Sequence, residues 1–72
     1  MSPEQQFGVN LARARERGGL SQSDLARKVD VLYTYISRLE TGKATPSFGL
    51  IMRLAAALDI PPSGLFAGVK QR

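Results

Sequence analysis

The stretch from Gln22 to Glu40 constrains the fold of this chain more than any other. Leu25, Ala26 and Val29 are spaced i, i+1, i+4, and Leu32, Ile36 and Leu39 are spaced i, i+4, i+7, so each trio marks one apolar stripe of a helix. Only Asp30 and Val31 stand between the stripes, which leaves room for a sharp bend and nothing longer. Ala26 is small and falls where two helices so joined would cross, so their backbones can approach closely. A pair of short helices at a fixed angle is therefore the organising element.

The flanking residues supply helix boundaries. Ser2 can cap a first helix, Pro3 suits its first position, and Gln5 completes a capping box. Phe7, Leu11, Ala14 and Arg15 fall on one face and carry this helix to about Arg17, where Gly18 and Gly19 end it. Ser21 caps the second helix, with Asp24 in its first turn, and the helix ends near Val29. Asp30 takes the turn, because Asp tolerates positive φ better than most residues. A third helix is expected from about Leu32 to Glu40, with Gly42 as its stop; Leu32 cannot cap it. Thr45-Pro46 begins a fourth helix by the logic of Ser2-Pro3, with Phe48, Ile51, Leu54, Ala55 and Leu58 as its buried stripe. Asp59 to Ser63 breaks that helix. Ser63 to Phe66 reads as a last helical turn, with Ile60, Leu65 and Phe66 closing the core. The expectation is an all-α bundle of four to five short helices over residues 1–67, followed by a short polar tail at 68–72.

Composition removes several function classes. With 72 residues the chain has room for one small domain, whose core is marginal without tight helix packing or self-association. It holds no Cys and no His, which excludes a disulfide framework, a thiolate nucleophile and the zinc sites built from those residues, so neither a metal nor another cofactor is expected. Six acids without histidine leave little for general acid–base catalysis, and Asp24 and Asp30 are already explained by a cap and a turn, so no enzyme is expected. The longest apolar runs, Gly49 to Met52 and Leu54 to Leu58, are too short to span a bilayer, and Met1 to Gln5 lacks the features of a secretion signal. A cytoplasmic protein is expected. The formal net charge of +4 suits a polyanionic partner without establishing one.

Two helices joined this way are the pattern of a helix-turn-helix, whose second helix enters the DNA major groove. From Phe7 to Phe66 the chain also resembles the phage-repressor (Cro/CI-type, or XRE) family. The marks are Arg15, Gly19-Leu20-Ser21-Gln22, Asp24-Leu25-Ala26, Tyr35-Ile36-Ser37-Arg38-Leu39-Glu40-Thr41-Gly42-Lys43, Pro46, and Leu54-Ala55 with Leu58. Leu32, where Ser or Thr is usual, and Asp30, where Gly is usual, depart from the pattern. Thr34-Tyr35-Ile36-Ser37 is similar to the recognition helix of restriction–modification controller proteins, though Tyr33 replaces their usual Arg. The resemblance implies a lambda-repressor-like fold, a bacterial or phage transcriptional regulator, a groove-edge role for Gln22, and a partly buried ion pair between Arg15 and Glu40.

Helix three itself can be read for contacts. Opposite Leu32, Ile36 and Leu39 lie Thr34, Ser37, Arg38 and Thr41, with Tyr33 and Tyr35 at the flanks. This face carries hydroxyls, a guanidinium and phenols but no acid, which suits base edges. Base contacts are expected from Gln22, Tyr33, Thr34, Ser37 and Arg38, and backbone contacts from Ser21, Ser23, Tyr35, Thr41, Lys43, Thr45 and Ser47. Arg13, Arg17, Arg27 and Lys28 would add diffuse attraction.

One such domain buries too little for tight specific binding, so a homodimer reading two half-sites about 34 Å apart is expected. Leu50, Met52, Pro61, Pro62, Leu65 and Val69 are candidates for its interface. The competing reading is an antitoxin-type module that grips a partner protein and regulates itself through DNA.

Overall fold

The computed structural model describes residues 1–71 and runs α1 (Pro3–Arg17), α2 (Gln22–Val29), α3 (Tyr33–Glu40), α4 (Phe48–Leu58) and a 3-10 turn (Pro62–Leu65). The polar residues at the boundaries act as the sequence suggests. The Ser2 hydroxyl accepts the Gln5 N–H while Gln5 accepts the Ser2 N–H, and Ser21 and Asp24 repeat this box at the start of α2. Asp30 ends α2 in the left-handed region at φ 60°, and Asp59 does the same for α4 at φ 55°. In both turns the next residue returns an N–H to the helix, Val31 to the Ala26 carbonyl and Ile60 to the Ala55 carbonyl.

Two boundaries differ from expectation. Helix α3 begins at Tyr33, with Leu32 as an N-cap of extended backbone (φ −71°, ψ 145°) and no side-chain cap. Helix α4 begins at Phe48, not at Thr45-Pro46, because the Ser47 hydroxyl accepts the Leu50 N–H and provides the cap.

Phe7, Leu11, Leu25, Ala26, Val29, Ile36, Leu39, Leu50, Leu54, Ala55 and Leu65 form one core. Helix α1 packs on α3, α2 on α3 and α4, and the 3-10 turn closes the bundle against α1 and α4. The α1–α3 crossing needs glycine: a methyl at Gly8 would stand 2.5 Å from the backbone carbonyls of Leu39 and Glu40. A second close approach seats Gly42, at φ 77°, against Gln5. Asn10, buried on α1, donates through Nδ2 to the carbonyls of Leu65 (3.0 Å) and Ala67 (2.7 Å) and accepts from Gln6, so the chain's last turn is tied to the first helix.

The core corrects several assignments. Leu32 does not belong to the buried stripe and is 77% exposed, since the extended N-cap takes its side chain off the helix periodicity. Phe48 is 78% exposed, whereas Leu50 is buried; the inward face of α4 runs through Leu50, Leu54 and Ala55. Leu50 and Leu65 are therefore core residues and cannot line a dimer interface. Val69 packs against the core, so the chain from Gly68 is not wholly a free tail, and Pro62 is half-buried in the 3-10 turn. Of the expected interface set, Met52 and Pro61 remain exposed. Arg72 lies outside the described residues.

Candidate nucleic-acid interface

Helix α3 is held by Ile36 and Leu39, both fully buried, and its opposite side is open. Thr34 and Arg38 are exposed, Tyr33 is 56% exposed, and Ser37 is half-buried beside them. Tyr35 is half-buried with its ring against the core, and its hydroxyl donates to the Thr45 carbonyl at 3.4 Å. Arg38 extends along the helix end and donates from Nη2 to the Lys43 carbonyl at 3.1 Å, which leaves most of its donors free. The Thr41 hydroxyl bonds back to the carbonyls of Ser37 and Arg38, so it is already engaged within the helix. Ser23, Lys43 and Thr45 are exposed; Ser21 and Ser47 are exposed too, with their hydroxyls serving as caps.

Beneath this face lies a polar cluster joining three helices. Arg15 on α1 bonds Glu40 at the end of α3 through two nitrogens, Nε to Oε2 at 2.7 Å and Nη2 to Oε1 at 3.1 Å. Its Nη1 donates to the Leu20 carbonyl at 2.8 Å, just ahead of α2. The side chains are only 13% and 6% exposed, so a forked geometry compensates charges largely removed from water. The hydrogen bond from Arg15 to Glu40 also raises the guanidinium pKa further above its already high ordinary value, so Arg15 is a permanent cation. Gln22, the first residue of α2, donates from Nε2 to Glu40 Oε1 at 2.9 Å. The expected Arg15–Glu40 pair is thus present, and Gln22 is part of it.

Other features carried little sequence signal. Arg53 on α4 donates to the Val29 carbonyl at 3.3 Å, capping α2 from another helix. Phe48 and Met52 stand one turn apart on the outer side of α4, exposed by 78% and 44%. Among the described residues no cluster of metal-ligating side chains occurs, and no helix is long and apolar enough to cross a membrane.

Comparison with known proteins gives a consistent result. A helix-turn-helix family model matches residues 11–65. The control protein C.MunI from a Mycoplasma species is 35% identical over 66 residues, covering 90% of this chain and 89% of that protein. The crystal structure of the restriction-modification controller protein C.AhdI from Aeromonas hydrophila superposes with a TM-score of 0.83 at 39% identity, over 86% of this chain and 94% of that one. The clp gene regulator ClgR from Corynebacterium glutamicum shares the fold, with a TM-score of 0.90 at 24% identity over 99% of this chain and 95% of that one.

Proposed function

This chain belongs to the helix-turn-helix family of DNA-binding transcriptional regulators, and we propose from that premise that it reads a palindromic operator as a homodimer. Helix α3 lies in the major groove. Tyr33, Thr34, Ser37 and Arg38 meet base edges, with Gln22 alongside, while Ser21, Ser23, Tyr35, Thr41, Lys43, Thr45 and Ser47 approach the phosphates. One observation carries this reading: the face of α3 opposite the fully buried Ile36 and Leu39 is open and presents hydroxyls, a phenol and a guanidinium without an acid. The second copy docks on the outer side of α4, where Phe48 and Met52 form an apolar stripe that the monomer leaves in water. The protein works in the cytoplasm and not as an enzyme. The likeness to C.MunI and C.AhdI supports a narrower reading, that this chain also controls a restriction–modification system.

Selection from a random duplex pool at two salt concentrations tests the proposal. The expected result is a palindromic consensus whose binding weakens steeply with salt, as phosphate contacts require. Equal retention of all sequences would overturn base reading by α3.

A further inference from the structure

We propose that Glu40 is a positioning residue for DNA reading and acts through Gln22, turning the adenine-matching edge of that amide outward. The inference rests on the DNA-reading role of this face.

Each step follows from donors and acceptors. A carboxylate only accepts hydrogen bonds, so the end of the Gln22 amide facing Glu40 must be the NH2 end, as the 2.9 Å contact to Nε2 requires. The amide has two N–H bonds. Donating the one syn to Oε1 would bring that oxygen beside the carboxylate, two negative ends together. The anti N–H therefore goes to Glu40, and the opposite edge keeps Oε1 and the syn N–H side by side. That acceptor–donor pair matches N6 and N7 of adenine in the major groove.

Glu40 can hold this orientation because it cannot turn. Arg15 grips both of its oxygens, at 2.7 and 3.1 Å, and the carboxylate is almost fully buried. The same guanidinium binds the Leu20 carbonyl, fixing the backbone two residues before Gln22. Arg15 also cancels a charge that would otherwise repel phosphates. The cluster thus fixes the root of the Gln22 side chain and its tip.

The test selects preferred sequences from a random duplex pool with the full chain and five variants: Gln22→Ala, Gln22→Glu, Glu40→Gln, Glu40→Asp, and Gln22→Ala with Glu40→Gln. Adenine is expected at one position of each half-site in the unsubstituted chain, and Gln22→Ala should erase that preference. Glu40→Gln should weaken it about tenfold, the scale of one charged hydrogen bond, yet change nothing further once Gln22 is Ala. Gln22→Glu leaves the Arg15–Glu40 pair in place and keeps an acceptor at position 22, but puts a like charge against Glu40. It should lose the adenine preference while melting as a folded protein, because a carboxylate has no donor for N7. Glu40→Asp keeps a carboxylate for Arg15 but withdraws it from Gln22; it should weaken the adenine preference only while Gln22 is present, and it decides the matter if Glu40→Gln does not fold. A uniform affinity loss with Glu40→Gln in both backgrounds, or an adenine preference that survives Gln22→Glu or Gln22→Ala, would overturn the positioning role. If the unsubstituted chain enriches no sequence, the DNA-reading proposal itself falls.

Discussion

The two ends of α3 are built differently. At the C-terminal end, Gly8 lies under the Leu39 and Glu40 carbonyls, Gly42 presses on Gln5, and Arg15 forks onto Glu40. At the other end Leu32 is 77% exposed, no side chain caps the helix, and Tyr33 and Thr34 stand in solvent. The helix is held as a cantilever. Its direction is set by contacts within the protein, so the free end can be chosen for chemistry instead of stability.

The clamped end should respond most to substitution. Glu40→Ala strands Arg15 as a largely buried cation, with the Leu20 carbonyl as its remaining hydrogen-bond partner among the described residues. The expected loss is about 3 kcal/mol, a melting temperature lower by about 15 °C without DNA. An unchanged melting curve would remove the clamp from the comparison. Gly8→Ala comes next. Its methyl meets two backbone carbonyls, which move only if α1 and α3 separate. Denaturant melts should show a loss of about 2 kcal/mol; a neutral result would mean the crossing is looser than its 2.5 Å clearance indicates.

The clamp also shows which parts of the fold can be read from sequence. Local signals were legible: Ser2 with Gln5, Ser21 with Asp24, and Asp30 in its left-handed turn all act over a few residues. The Arg15–Glu40 pair follows from the family resemblance and not from spacing. The N-terminal edge of the α4 stripe is not legible, because that helix is apolar almost all round, with Arg53 its only charge. Leu54 and Ala55 are buried and Ile51 and Leu58 pack against the core as the period predicts, whereas Phe48 is exposed and Leu50 is buried instead. Leu32 fits the period of Ile36 and Leu39 yet stands one residue before the helix begins. Gly8, Asn10 and Arg53 have partners far along the chain, and nothing local distinguishes them. On the candidate site, the open face of α3 was legible, but the bond from Gln22 to Glu40 depends on how α2 and α3 are set against each other.

Arg38 sits on the open face yet already bonds the Lys43 carbonyl at the clamped end. If it reads guanine, Arg38→Ala should relax preference at one base pair and cost about 1.5 kcal/mol in binding to the consensus duplex. An equal loss on every duplex would make it a phosphate contact and move it out of the reading set. Leu32→Ser acts on the free end directly. A hydroxyl there can accept the Tyr35 N–H, as Ser21 accepts that of Asp24, while little packing is lost. Thermal melts should show a gain of about 1 kcal/mol. No gain would mean that the uncapped start is not a stability deficit.

The smallest effect sets the start of α2 against the start of α3. The Asp24 carboxyl lies below the usual carboxylate range, chiefly because the Ser21 N–H donates to it, then through the Ser21 hydroxyl. A lowered folded-state pKa means the contribution is complete at neutral pH and disappears as pH falls through the folded value, beneath the ordinary carboxylate range. Asp24→Ala should therefore melt slightly below the parent at neutral pH, and the two curves should converge in acid. The Leu32→Ser gain comes from a hydroxyl that does not titrate, so it should persist across the same range. A gap for Asp24→Ala that survives in acid would show that its role is not carried by charge. The two helix starts would then differ in packing, and α3 would be weak at its free end for want of contacts instead of a cap.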